Sequence, residues 1–276
     1  MPAIPAPPAK LLASACVEVA QGMASAAAAS IARLGGAASL FARVGDDETG
    51  ARIRADLAAA GVDVSGVRQV AGARSALATI LVDDAGERLV AVFYDPKLGD
   101  DPAWLPLDRV AAADAVLADV RWPDGAEALL RAGRAAGIPA VLDADSAPRE
   151  VLERLVPLAS HAIFSDAGLD VLTGGRLAGL GHPGIVGVTC GAAGFRWLED
   201  GREHHVPALV VTAVDTLAAG DVFHGAFALR LAEGATVAEA GRFAAVAASL
   251  KCRVFGGRLG CPLRAEVEAV LNCARP

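Results

Sequence analysis

The stretch Val214-Asp215-Thr216-Leu217-Ala218-Ala219-Gly220-Asp221-Val222-Phe223-His224-Gly225-Ala226-Phe227 decides how this chain is read. The pattern predicts a strand ending near Val214, a turn through small residues, and a helix running to about Glu233. Small residues at a helix start let backbone N–H groups come close to an anion, and the helix dipole adds positive potential there. Asp221 falls in the first turn of that helix. Beside a phosphate pocket such a carboxylate can accept the proton of an attacking hydroxyl. By itself, a Gly-Asp pair at a helix start equally serves to complement the dipole.

The strand–turn–helix rhythm extends upstream. Ala115–Asp119 reads as a short buried strand and Ala126–Ala136 as a helix closed by Gly137. A strand at Ala140–Asp143, a helix near 150–157 and strands at His161–Phe164, Ile185–Cys190 and Phe195–Glu199 follow. Short apolar strands alternating with helices predict a parallel sheet covered on both faces. Asp119, Asp143, Asp145 and Asp166 stand at carboxyl ends of these strands, where open α/β sheets place their ligands.

Toward the N-terminus, Leu11–Ala20 alternates with period two and reads as a strand. Ser25–Leu34 is an Ala-dense helix closed by Gly35-Gly36, Ala38–Val44 a short strand, and Ala51–Ala60 a helix that stops at Gly61. Ala76–Val82 and Arg88–Tyr94 flank Asp83-Asp84-Ala85-Gly86, which predicts a hairpin. Together with Leu11–Ala20 the hairpin forms a small sheet apart from the main core. The expected architecture is α/β: a three-layer α/β/α sandwich over 22–73 and 96–276, with a small β-sheet lid over 10–21 and 74–95. A lid of this kind, apolar and without a covering helix, should meet a second copy, giving a homodimer joined lid to lid.

The 276 residues are 54% apolar and 21% charged with a net charge of −7, which excludes intrinsic disorder. A chain of this length can bury roughly three-quarters of its unfolded surface in one core. The sequence has no uninterrupted apolar run of about 18 residues, so no membrane span is expected. An acidic balance (pI near 5.3) without runs of Lys and Arg gives no footprint for nucleic acid. The 5 cysteines are scattered, with no C-x-x-C, and read as incidental thiols of a reducing, cytoplasmic compartment. Met1–Lys10 is Pro- and Ala-rich and is read as carrying no export signal.

Asp215-Thr216-x-x-Ala219-Gly220-Asp221-x-Phe223-x-Gly225-Ala226 resembles the C-terminal signature Asp-Thr-x-Gly-Ala-Gly-Asp of the PfkB (ribokinase-like) carbohydrate kinases. Arg33-Leu34-Gly35-Gly36 and Arg43-Val44-Gly45-Asp46-Asp47-Glu48-Thr49-Gly50 look like that family's N-terminal half. Thr189-Cys190-Gly191-Ala192-Ala193-Gly194 is similar to its nucleotide loop, and Lys251–Gly260 to its nucleotide-capping segment. The resemblance implies a ribokinase-like fold and an ATP-dependent sugar kinase in which Mg²⁺ bridges the phosphates, with no metal site of the protein's own. It implies Asp221 as catalytic base and the backbone of Ala218, Ala219 and Gly220 as the anion hole. It places Ser165, Thr189, Gly191, Gly194 and Gly257 on the nucleotide and Gly22 on the sugar.

Val116–Gly125, Ala162–Leu169 and Gly220–Gly225 look like the bacterial sulfofructose kinases, in which a Lys and an Arg grip the substrate's sulfonate. The matching positions are Lys10 and Arg121, and two cations converging on a cleft select an anionic tail. The chain also departs from the family. The expected first strand, whose Asp holds the sugar hydroxyls, has no counterpart here. Ala26 stands for an Asn, Ala218 for a Gly, and Val92-Phe93 where a polar Asn is expected. Two alternatives therefore stay open: an uncharged ketohexose or deoxy-sugar acid as substrate, and a nucleotide-binding relative with weak or no catalysis.

Overall fold

The computed structural model describes residues 10–83 and 88–273. In chain order the elements are α1 (Met23–Arg33), β1 (Ala42–Gly45), α2 (Glu48–Ala59), β2 (Val67–Val70), β3 (Leu77–Val82), β4 (Arg88–Phe93), β5 (Val116–Asp119), α3 (Pro123–Ala135), β6 (Ala140–Ala144), α4 (Arg149–Leu155), β7 (His161–Ser165), α5 (Asp166–Thr173), β8 (Ile185–Thr189), β9 (Phe195–Glu199), β10 (Arg202–Val206), α6 (Ala219–Ala232), α7 (Val237–Lys251) and α8 (Arg264–Cys273). Local chemistry explains many of the boundaries. Pro123 occupies the first turn of α3, where a missing N–H costs nothing, and Gly137 follows its end at φ 72°. Asp47 caps α2 and Ser165 caps α5, while Thr236 and Glu239 close a reciprocal capping box on α7.

The main sheet has 6 strands in the order β10-β9-β8-β7-β6-β5. β5 to β8 are parallel, as expected, but β9 and β10 run antiparallel at one side, so the sheet is mixed. Side chains alternate between its faces. Leu142, Phe164, Val186 and Val188 pack with Leu130, Leu152, Leu155 and Leu169 of α3, α4 and α5. Val141, Ile163, Phe195 and Trp197 pack with Val222, Phe223, Phe227 and Phe243 of α6 and α7. A helix layer on each face makes the three-layer α/β/α sandwich. Two small sheets stand apart from it, the parallel pair β1-β2 and the antiparallel hairpin β3-β4.

Several expected elements take another form. Leu11–Ala20 is not a strand: residues 11 to 18 are exposed, and alternation of side chains does not make a ladder without a partner edge. Of the expected lid sheet, the hairpin β3-β4 alone is formed among the described residues. The turn expected at 83–86 lies, from 84 on, outside them. The expected strand 38–44 is ordered as 42–45, preceded by an isolated bridge from Ser39 to Asp63. No strand leads into Val214, because the N–H groups of Val214 and Asp215 both go to the Cys252 carbonyl, at 2.7 and 3.1 Å, rather than to a neighbouring strand.

Alanines let α1 and α6 approach closely. A Cβ on Gly225 would lie 2.6 Å from the Ala27 carbonyl, a backbone atom that cannot step aside. Gly225→Ala should therefore destabilise the fold by about 1–3 kcal/mol, despite the better helix propensity of Ala. Denaturant unfolding of the two proteins checks this.

Candidate active site

Three aspartates at the ends of adjacent parallel strands each recruit a different element. Asp119, which ends β5, accepts the Ala24 N–H in the first turn of α1 at 3.1 Å and the Arg121 N–H at 2.7 Å. Asp143 of β6 is buried, with an oxygen 3.3 Å from Nδ1 of His224 on α6. Asp145, just past β6, takes the Arg121 guanidinium at 2.6 Å, and Arg121 also donates to the Ser146 carbonyl at 3.0 Å. His224 is fully enclosed. Its Nδ1 lies 2.8 Å from the Gly220 carbonyl and its Nε2 3.2 Å from that of Ile163, which docks the start of α6 over β7.

Burial raises the pKa of Asp119 and lifts that of Asp143 well above the usual carboxylate range, Asp143 being pushed further by Asp119 and Asp145. Burial likewise lowers His224 and favours the neutral imidazole. Asp221, half-buried in the first turn of α6, is raised to about 7 by burial and by the negative potential of Asp143, with Asp119 and Asp145 adding to it against the pull of His224. A carboxylate with a pKa near neutrality is suited to taking and releasing a proton.

The entry to α6 is unusual in its backbone. Ala218 precedes the helix in the left-handed region, at φ 63°. The Ala219 N–H turns back to the Thr216 carbonyl at 3.2 Å, which engages one of the donors expected in the anion hole. Gly220 is exposed, and a Cβ there would have nothing within 4 Å, so the space before it is open. The N–H groups of Gly220 and Asp221 head the helix, where no preceding turn supplies a carbonyl. Asp215 braces this turn: one carboxylate oxygen accepts the Leu217 N–H at 2.8 Å, the other those of Gly256 at 3.0 Å and Gly257 at 2.8 Å.

The residues expected on the nucleotide are partly engaged in structure. Ser165 and Thr189 end the neighbouring strands β7 and β8 and pair in register. The Ser165 hydroxyl caps α5 through the Gly168 N–H at 3.1 Å, and the Thr189 hydroxyl donates to the Phe164 carbonyl at 3.2 Å. Gly191 (φ 52°) and Gly194 (φ 98°) bound a short 3-10 turn beyond β8; a Cβ on Gly194 would meet the Val206 carbonyl at 2.1 Å. Gly257 sits at φ 59°.

On the sugar side, Gly22 (φ 114°) is exposed immediately before α1, close in sequence to the Ala24 N–H that Asp119 holds. Arg121 is exposed but its charge is matched by Asp145. Lys10 is exposed at the start of the described chain, and no described contact joins it to Arg121. Ala26 is fully buried within α1, and Val92 and Phe93 lie on the exposed strand β4. Sequence reasoning missed His224 and Lys251. His224 is four residues after Gly220 and three after Asp221, the spacing that shares a helix face. Lys251 follows an almost wholly apolar helix segment, which is a signal of burial.

The sequence pattern of the pfkB family carbohydrate kinases matches residues 5–264. Ribokinase of Bacillus subtilis is 31% identical over 89% of this chain and 85% of its own length. A structure from Agrobacterium tumefaciens, assigned provisionally as a ribokinase, superposes with a TM-score of 0.95 at 46% identity, covering 99% of this chain and 92% of that one. The ribokinase of Arabidopsis thaliana, solved with ribose and ATP, superposes with a TM-score of 0.81 at 25% identity, over 98% and 93% of the two chains. A match of this extent in both sequence and fold makes the chain a member of the pfkB family of carbohydrate kinases.

Proposed function

We propose that the protein transfers the terminal phosphoryl group of ATP to a primary hydroxyl of a ketose-like sugar, sulfofructose or a related anionic ketose. The observation that carries this reading is Asp221, a half-buried carboxyl with a pKa near neutrality in the first turn of α6, next to the exposed Gly220. ATP supplies the phosphoryl group and Mg²⁺ offsets its charge. The residues suit both: backbone N–H groups at a helix start favour phosphate, and the carboxylates at the strand ends are hard oxygen donors of the kind Mg²⁺ takes beside phosphate and water. Among the described residues no set of three or more His, Cys, Asp and Glu side chains is placed to hold an ion by itself.

Asp221 accepts the proton of the sugar hydroxyl as its oxygen bonds to phosphorus. The N–H groups of Gly220 and Asp221, with the α6 dipole, stabilise the charge spread over the moving phosphoryl oxygens. Arg121 stands beside the acidic strand ends and presents a guanidinium to an anionic tail, a reading supported by the resemblance of 116–125 to the sulfofructose kinases. Its pairing with Asp145 favours a second reading, an uncharged ketohexose or a deoxy-sugar acid. The Ala218 methyl at the helix entry favours slow turnover or nucleotide binding alone. The hairpin β3-β4 serves as a lid; Leu77, Leu89, Val90 and Val92, each at least half exposed, support its burial against a second copy.

Asp221→Asn should lower turnover by about 10²–10⁴-fold in a coupled ADP assay over a sugar panel; wild-type turnover would remove Asp221 as base. For the wild-type enzyme kcat/KM should rise with pH and level off above about 7, as Asp221 deprotonates. The sign for stability is opposite. A carboxyl with a raised folded pKa favours folding at low pH and loses that contribution as pH rises through about 7. Asp221→Asn should thus stabilise by about 1–4 kcal/mol at pH 8 and by little at pH 4, read from denaturant midpoints.

Arg121→Ala should weaken the anionic sugar by about tenfold or more while sparing fructose. Equal effects on both sugars would show that Arg121 shapes the cleft without reading the tail. Sedimentation should give a dimer at micromolar concentration, converted to monomer by Val92→Asp; a monomeric wild type would exclude lid-to-lid pairing.

A further inference from the structure

Lys251 ends α7 with its side chain shut off from solvent, and no step of the phosphoryl transfer uses it. Its Nζ donates to the Asp215 carbonyl at 2.6 Å and stands 3.5 Å from the Asp215 carboxylate. Burying an ammonium group is costly unless it is matched by charge and hydrogen bonds. Burial indeed pulls this amine below the ordinary lysine range, opposed by Asp215 and Cys252, with Arg88 adding a small push in the same direction as burial. The position is nevertheless favourable in two ways. The group sits at the C-terminal, negative end of a helix, and it faces a carboxylate held ionised below its usual pKa. Burial opposes that ionisation, but the N–H groups of Gly257 and Leu217 together with the Lys251 charge outweigh it.

Around this pair one residue is gripped at every polar atom. The Asp215 N–H goes to the Cys252 carbonyl, which also takes that of Val214. The Asp215 carbonyl takes Lys251, one carboxylate oxygen takes Leu217, and the other takes Gly256 and Gly257. Every partner belongs either to the turn before α6 or to the end of α7 and the segment that follows it. The turn then runs through Ala218, in its left-handed conformation, into Gly220 and Asp221. A neutral side chain at 251 would leave the Asp215 carbonyl without its donor and the carboxylate without its counter-charge, at the root of the helix entry.

We infer that Lys251 is a positioning residue: its ammonium is an internal cation that locks the 214–217 turn to the 252–257 segment and thereby aims the Gly220 and Asp221 N–H groups at the transferring phosphoryl group. This rests on the kinase reading above. None of the hydrogen bonds that make the lock goes to Gly22 or Arg121, the residues proposed for the sugar, so the lock acts on the chemical step more than on sugar binding.

Lys251→Met keeps the length of the side chain and removes its charge. Measured well below the melting temperature, its kcat should fall by about tenfold to a hundredfold, with the sugar KM within about threefold. Hydrogen exchange should quicken in 214–221 and 252–258 while the middle of α7 stays protected. Methylammonium added to Lys251→Ala should restore part of kcat. A folded Met variant with wild-type kcat, or one with lower kcat but unchanged exchange and no rescue of the Ala variant, overturns the proposal. If wild-type protein phosphorylates no sugar, the kinase reading fails, and the exchange measurement still judges the lock. If the Met variant does not fold, the wild-type protein decides. Peptides 214–219 and 252–258 must open at one common rate, and distinct rates would show that they are not one unit.

Discussion

Acidic side chains crowded at the carboxyl ends of two neighbouring strands set the terms for this structure. Parallel strands β5 and β6 end side by side, and their ends carry Asp119, Asp143 and Asp145. Asp119 takes the Ala24 N–H at the start of α1, Asp145 takes the Arg121 guanidinium at the entry to α3, and Asp143 lies beside His224 of α6, whose Nδ1 is held by the Gly220 carbonyl. The acidic strand ends thus fix where the surrounding elements start. Asp221 stands beside them, and its proton affinity is raised first by its own burial and then by the negative potential of Asp143, with Asp119 and Asp145 adding less.

The helix that carries Asp221 is held in a conformation it would not choose alone. An L-residue at φ 63° costs on the order of 1 kcal/mol, and Ala218 has no local hydrogen bond of its own side chain to offset it. The offset comes from the Asp215 contacts on one side and from the packing of α6 on α1 on the other. Gly225 against Ala27 leaves no room for adjustment there. A rigid seat and a strained entry belong together, because strain persists only where the surroundings over-determine it.

Arg121 is placed with similar rigidity, although its side chain reaches solvent. Its neighbour Trp122 is stacked on Trp104 at 5.6 Å, with the Arg43 guanidinium over it at 4.0 Å and Arg68 over Trp104 at 5.3 Å. The Trp122 indole donates to the Asp100 carbonyl at 2.8 Å, and a Cβ on Gly125 would strike the Trp122 ring at 2.4 Å. Alternating cations and aromatic faces attract, and burial strengthens them. The guanidinium of Arg121 therefore projects from a fixed root and is free only at its tip, where Asp145 and an incoming anion compete for it.

Much of this was legible in the chain itself. From residue 115 onward short apolar strands alternate with helices, and a strand buried on both faces reads as a continuous apolar run wherever it lies, so local pattern determines the layers. The placement of Asp221 at a helix start was likewise determined by the small residues before it and the apolar run after it. Pattern misled at Leu11–Ala20 and before Val214. There period-two or apolar sequence was present, but a strand exists only as part of a ladder, and among the described residues 11–20 pair with no strand, while Cys252 took the N–H groups in the other case. What only the tertiary structure decided is which polar groups meet: His224 with Asp143, Arg121 with Asp145, Lys251 with Asp215. These partners are far apart along the chain, and their energies depend on burial and on separations of a few ångströms. Residue order does not encode those quantities until the layers have packed.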